Sequence, residues 1–311
     1  QGRSEGASQA QAEIPLMESW GFLLLCSHLG NPERRPLTTA QLRVLSQRVQ
    51  NHGPWEDPGD LTPKSLKALG YPEEFSERIV ALLEEEDLLF RDLQKAKNRK
   101  CVPITRQDPR YPQVLREKLG PDAPGTLWAK GDLRLLEEPM VALVGSRELE
   151  VPNGRFAMEA GLQAARQGYV LVSGNAAGAD RTAQRACWKA GGKVICVVAD
   201  ALHSYLEAPN VLYLSEEDYD MPFSPFRALH RNRVIHALGQ GVLVAQSHFE
   251  QGGSWKGTRE NLRCRWTPVF GFQDGSEAMA ALQGMGAELI DLGALADFRK
   301  LLKKENSLFY R

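Results

Sequence analysis

The chain has 311 residues, 42% hydrophobic and 25% charged, which is ordinary for a globular protein with room for two cores. A formal net charge of −1 excludes a global basic signature for nucleic acid and leaves only a local one. Five cysteines at irregular spacings, with no CxxC pair, argue against a zinc site or a disulfide scaffold and for a reducing, cytoplasmic setting.

The opening "QGRSEGASQAQAE" is polar and small, and residues 1–15 read as a disordered tail or an expression remnant. No signal-peptide pattern and no bilayer-length apolar run is expected. Residues 16–100 have a helical pattern. "LTTAQLRVLSQRVQ" sets Leu42, Leu45 and Val49 at helical spacing, with Thr38 or Thr39 as the cap. A short helix should end near Gly70, and a longer one should follow Pro72, with Glu73 and Glu74 suiting its N-terminus. These short, glycine-broken helices resemble SAM-like or helix-hairpin-helix modules, and a small all-α packing domain is expected. Residues 101–138 hold five of the 18 prolines and read as a linker with short strands that docks one domain on the next.

From 139 to 311 the character changes. Apolar runs "MVALVG", "YVLVS", "KVICVV", "VLYL", "GVLVA" and "PVFGF" alternate with helical stretches. Near-continuous apolar strands between helices predict an α/β Rossmann-like fold, a mostly parallel sheet with helices on both faces.

In such a sheet, ligands bind beyond the carboxyl ends of the strands. The loops there are Gly145-Ser146-Arg147, then "SGNAAGAD" with Ser173, Gly174, Asn175, Gly178 and Asp180, then Asp200, then "QSHFEQGGSWKGT" with Gly252, Gly253, Ser254, Lys256, Gly257 and Thr258. Each glycine loop alone is a tight turn. Several on one rim predict main-chain donors and a helix N-terminus aimed at a phosphate. Arg147 offers a forked bond, Lys256 a point charge, and Asp180 a helix cap. Trp255 is expected either to stack on a base or to pack the loop down. The GxGxxG, GxxxxGK[ST] and GxSxG patterns are absent, so no nucleoside triphosphatase or nucleophile elbow is indicated, and without HExxH the histidines read as surface or packing residues, with no metal expected.

Charge is local. Residues 227–265 carry seven Arg or Lys against two Glu, and residues 200–220 carry six acidic side chains. Arg231, Asn232 and Arg233 stand on a predicted helix ahead of the last glycine loop.

"ITRQDPRYPQVL", "LWAKGDLRLL", "VALVGSRE", "VLVSGNAAGADRTAQRA", "FRALHRNRVIHAL" and "GVLVAQS…GGSWKGT" occur in an order that resembles the DNA-processing protein A (DprA/Smf) family, over roughly residues 17–290. The resemblance implies a SLOG-type Rossmann domain that binds single-stranded DNA and mediates recombination in DNA processing or natural transformation. It implies a RecA recombinase partner, a homodimer, no cofactor and no catalysis. Its phosphate-binding positions fall on Gly145, Ser146, Arg147, Ser173, Gly174, Gly178, Asp180, Arg231, Asn232, Arg233, Gly253, Ser254 and Thr258. Departures are Ala177 for a basic residue, Gln184 for a histidine, Tyr205-Leu206 for Tyr-Pro, and no match to the C-terminal winged helix of many members. The runner-up is a nucleotide-derivative sensor or phosphoribohydrolase-like enzyme. "GGSWKGTRE" is similar to that group's "PGGxGTxxE" loop and would make Glu260 the acid or base, although the spacing differs.

Overall fold

The structure is a computed structural model that describes residues 20–52 and 60–303; the tail expected over residues 1–15 lies outside them. Helices α1 (Gly21–Cys26), α2 (Thr39–His52), α3 (Pro63–Ala68), α4 (Glu73–Leu83) and α5 (Glu86–Asn98) come first. Thr38 caps α2: the Gln41 N–H donates to its Oγ1 at 3.2 Å, and the Gln41 side chain accepts from the Thr38 N–H at 3.0 Å. The single long helix expected after Pro72 is two helices, α4 and α5, broken at Glu84–Glu85. Packing explains the break. Ile79 and Leu82 of α4 belong to a helical core with Leu25, Leu45 and Leu66, whereas Leu89 and Ala96 of α5 join the core beneath the sheet.

The expected linker is built into the sheet. It supplies β1 (Val102–Thr105), α6 (Gln113–Leu119) and β2 (Thr126–Gly131). β1 pairs antiparallel with β2, and β2 antiparallel with β6 (Val211–Ser215). The buried Arg106 ties this extension to the helices. Its guanidinium donates to the Pro124 carbonyl at 3.2 Å and to Ser46 Oγ on α2 at 3.0 Å.

The remaining strands are β3 (Met140–Val144), β4 (Val170–Ser173), β5 (Lys193–Val197), β7 (Val242–Val244), β8 (Val269–Phe272) and β9 (Glu288–Ile290). The nine-stranded order is β1-β2-β6-β5-β4-β3-β7-β8-β9, and all pairings from β6 to β9 are parallel. The chain therefore steps outward from β3 to β6, then returns past β3 to β7. Successive strand residues bury on opposite faces. Val141, Leu143 and Leu171 meet α7 (Val151–Gln167) and α8 (Ala179–Lys189), while Ala142, Val144 and Val172 meet α9 (Pro225–Leu238) and α10 (Gly252–Cys264). The α/β expectation and the helical N-terminal region both hold. Helices α11 (Glu277–Gly284) and α12 (Phe298–Lys303) close the far edge.

One buried polar contact joins the helical region to the sheet. Tyr219 Oη donates to Asp92 Oδ1 at 2.8 Å, with the Tyr219 ring edge-on to Trp128 at 4.9 Å. Burial pushes the Asp92 carboxyl up to about 6, against the opposing pull of the Tyr219 bond. A folded pKa above the unfolded value of 3.8 stabilises fully below that value, and the contribution is lost as pH rises through about 6. Asp92→Asn keeps an acceptor for Tyr219 and removes the charge. Urea denaturation should show it more stable than the parent at about pH 8, by roughly 1–3 kcal/mol, with the difference gone below about pH 4.

Candidate nucleic-acid interface

The reversal of strand order between β3 and β7 opens a crevice at their carboxyl ends, the position where open α/β sheets receive ligands. A cleft of about 610 Å³ occupies it. Its walls are the loop after β3, the first turns of α10 and one face of α9. Main-chain bonds fix that geometry. The Ser146 N–H donates to the Gln246 carbonyl at 3.0 Å, and the Glu150 N–H to Gln246 Oε1 at 2.9 Å, so the loops after β3 and β7 are stitched together. The Ala179 N–H donates to the Ser146 carbonyl at 3.1 Å and brings in the loop after β4. Gly178 makes this approach possible. Its φ is +82°, and a Cβ there would stand 2.3 Å from the Arg147 carbonyl oxygen.

Of the residues expected at the site, Gly145, Ser146, Arg147, Asp180, Arg231, Asn232, Gly252, Gly253, Ser254 and Lys256 line this cleft. Arg147 and Lys256 are exposed, and among the described residues no hydrogen bond or ion pair engages either head group. The "GGS" stretch is the first turn of α10 rather than a free loop. Its N-cap, Gln251, makes no side-chain cap, so the turn faces the cleft as a partial positive charge. Ser254 Oγ donates to Ser247 Oγ at 3.3 Å.

The other expected residues are engaged elsewhere. Gly174 is clamped: its N–H donates to Asp180 Oδ2 at 3.2 Å, and its carbonyl accepts from Arg231 Nη1 at 2.8 Å. The Ala176 N–H also donates to Asp180 Oδ2, at 3.2 Å. Asp180 thus holds the preceding loop; the N-cap position of α8 is Gly178. The buried Ser173 hydroxyl accepts from Gln184 Nε2 at 2.7 Å, and Asn175 Nδ2 donates to Tyr205 Oη at 3.4 Å. The loop after β4 therefore carries no open anion nest, because its own carboxylate and guanidinium fill it. Arg231 borders the cleft, but its Nη1 is occupied by the Gly174 and Val197 carbonyls, both at 2.8 Å. Arg233 points away and pairs with Glu216 at 2.5 Å. Thr258 is fully buried inside α10. Gly257 serves helix packing: a Cβ there would lie 3.2 Å from Asn232 Cβ on α9. Trp255 is 2% exposed, edge-on to Phe249 at 5.2 Å, so it packs the loop down and stacks on no base. Glu260 lies off the cleft. Arg263 grips its carboxylate at 3.1 and 2.5 Å and holds its pKa below the usual range, which does not suit a general acid.

Sequence reasoning missed the apolar wall. Phe223, Pro225, Ala228 and Leu229 line the cleft, and Phe223 is 54% exposed. The signal was "MPFSP", a phenylalanine in a proline-bounded segment just ahead of the helix, where no strand or helix face requires it.

Fold and site together define a Rossmann-like α/β protein with a switch-point cleft that offers positive charge beside an apolar wall. The family described as DNA recombination-mediator protein A matches residues 102–290, and the chain belongs to it. The DNA processing protein DprA of Streptococcus pneumoniae is 36% identical over 152 residues, covering 46% of this chain and 53% of that protein. Protein Smf of Escherichia coli is 31% identical over 143 residues, covering 42% and 38%. The chain spans about half the length of the curated relatives it matches. Among solved structures, DprA from Streptococcus pneumoniae covers 82% of this chain and 95% of its own, with a TM-score of 0.56 and 26% identity. DNA processing protein A from Helicobacter pylori, whose structure describes a single-stranded DNA binding mode, covers 66% and 97% with a TM-score of 0.54; at 24% identity it shows the shared fold.

Arg231→Ala would leave the Gly174 and Val197 carbonyls without that donor and remove the cation beside Asp180. We expect a loss of about 3 kcal/mol in urea denaturation. The Asp180 carboxyl, which burial already pushes up to about 6, should titrate higher still when followed by NMR, because Arg231 is the first of the groups that lower it.

Proposed function

We propose that the chain binds single-stranded DNA in the switch-point cleft and acts as a recombination mediator, with no catalytic step. One observation carries this reading. The two unengaged cations, Arg147 and Lys256, flank the uncapped N-terminus of α10 in one cleft. Phosphates suit that side, and the apolar Phe223–Leu229 wall opposite suits the faces of unstacked bases. Membership of the recombination-mediator family supports the same reading. The protein would act in the cytoplasm, as a homodimer that hands its strand to a RecA-type recombinase. Among the described residues no helix is long and apolar enough to cross a membrane, and no His/Cys/Asp/Glu cluster suits a metal ion. The position and pairing of Glu260 disfavour the phosphoribohydrolase-like alternative.

Fluorescence titration with labelled oligo(dT) at several salt concentrations tests the proposal. Arg147→Ala and Lys256→Ala should each weaken binding across all sequences and lower the slope of log K against log salt by about 0.7. Glu260→Gln should leave affinity unchanged and reveal no base release from nucleoside monophosphates. Salt-independent binding, or parent-like affinity in both cation variants, would remove the cleft from consideration.

A further inference from the structure

A second groove, of about 560 Å³, adjoins the cleft. The two share Leu229 and Lys256, so their openings meet across those side chains of α9 and α10. One wall of the groove is the outer side of α9 and α10. The other is α2, through Thr39, Ala40 and Arg43. The helical N-terminal region and the Rossmann-like half thus form this groove together.

The α9 wall is not an ordinary solvated helix face. Phe226, Leu229, His230 and Arg233 recur there at helical spacing. Phe226 is 69% exposed and Leu229 42%. The Phe226 ring lies nearly parallel to the His230 imidazole, at 12° with centroids 5.6 Å apart. His230 is itself fixed, since its Nε2 accepts from Arg233 Nε at 3.3 Å. Burial lowers the pKa of the His230 ring, so it is neutral at pH 7. An aromatic ring backed by a fixed imidazole and still largely open to solvent is a platform, and its exposure contributes nothing to the core.

Charge stands beside that platform. Of the four Arg and Lys side chains that line the groove, Arg43 pairs with Asp122 at 3.4 Å and Arg233 with Glu216 at 2.5 Å. Lys256 and Arg259 are exposed, and among the described residues no hydrogen bond or ion pair engages them. The two carboxylates of the groove, Asp122 and Glu260, are each held by an arginine, Arg43 and Arg263. Unengaged cations next to an open aromatic ring suit a nucleic-acid strand, with phosphates on the charges and a base on the ring.

We propose that the single strand leaves the switch-point cleft over Lys256 and continues in this second groove, with a phosphate on Arg259 and a base stacked on Phe226. This deepens the single-stranded DNA reading and rests on it. The helical N-terminal region is then part of the DNA site, because α2 walls the strand on its outer side. Arg43 adds a further contact there: its pair with Asp122 is half-exposed on both sides, and such pairs contribute little that a phosphate could not replace.

The test uses the intact chain and oligo(dT) of about twelve nucleotides. Phe226→Ala should bind about tenfold more weakly, the scale of one base–aromatic stack. Phe226→Trp keeps a stacking ring and should bind at least as tightly as the parent. The fluorescence of its added indole, read against the parent, should be quenched as oligo(dT) saturates. Arg259→Ala should lower the slope of log K against log salt by about 0.7, one phosphate contact on a single strand. An added indole that saturating oligo(dT) leaves unquenched overturns the inference, and so does parent-like affinity in Phe226→Ala or a parent-like salt slope in Arg259→Ala. If these hold while Arg147→Ala still weakens binding, the second groove falls alone and the cleft stands. If the parent binds no oligo(dT), the proposed function itself fails.

Discussion

The architecture of the cleft depends on how one peptide unit is held. Gly174 gives its N–H to Asp180 and its carbonyl to Arg231, so two buried, opposite charges grip the same residue from both sides. The guanidinium lies so close that a Cβ on Gly174 would fall 2.7 Å from Arg231 Cζ. Burying two charges is costly, and packed apolar residues would often be more stable. What the charges provide is position. Asp180 starts α8, Arg231 rides on α9, and their common clamp sets the helices of the two faces relative to the carboxyl end of β4. The loops after β3 and β7 then lock on through Ser146 and Gln246.

This clamp also determines which charges remain available. The basic stretch from 227 to 265 suggests a broad positive face, yet much of it is engaged internally. Arg227 donates to the Met221 and Pro222 carbonyls and to Ser215, Arg231 to main-chain carbonyls, Arg233 to Glu216, and Arg263 to Glu260. The acidic stretch from 200 to 220 is engaged likewise. Asp218 approaches His28 at 3.4 Å, and Asp200 accepts from Tyr205 at 2.7 Å. Arg233 and Glu216 pair the two segments directly, and the other side chains named are held by groups of the protein itself. At the cleft, Arg147 and Lys256 stand without internal partners among the described residues, beside a helix end, a narrow positive source in place of a broad basic face.

How much was legible in the sequence follows from which signals are local. The six buried parallel strands were plain, because a strand covered on both faces must be apolar at every position. β9 escaped: Glu288 and Leu289 are only half-buried, and three residues carry no period. The short strands expected in the proline-rich linker are β1 and β2, but their membership of the main sheet is not visible locally, because an antiparallel edge tolerates proline where a central strand would not. At the site, the strand-end position of Gly145, Arg147 and Lys256 is enough to place them in the cleft, whereas Ser173, Arg233 and Thr258 do not line it, since residue type shows a capacity to bond and only tertiary packing shows which partner takes it. Arg233 and Glu216 are 17 residues apart, and no spacing rule would have joined them.

The stretch "GGSWKGT" shows the same principle within seven residues. Its glycines differ in role although their type is identical. Gly252 takes φ +81° and turns the chain into α10, Gly253 faces Asn232 at the cleft, and Gly257 lets α9 approach without a side chain between them. Trp255, between them, anchors the helix start in the core, so that a turn rich in glycine, which is entropically costly to order, is held in one conformation. A loop of free glycines would have to pay that ordering cost when a phosphate arrived. A helix end already pinned by a buried indole would meet an anion with its donors in place, and preorganisation of this kind lowers the ordering cost that a weak backbone dipole must overcome.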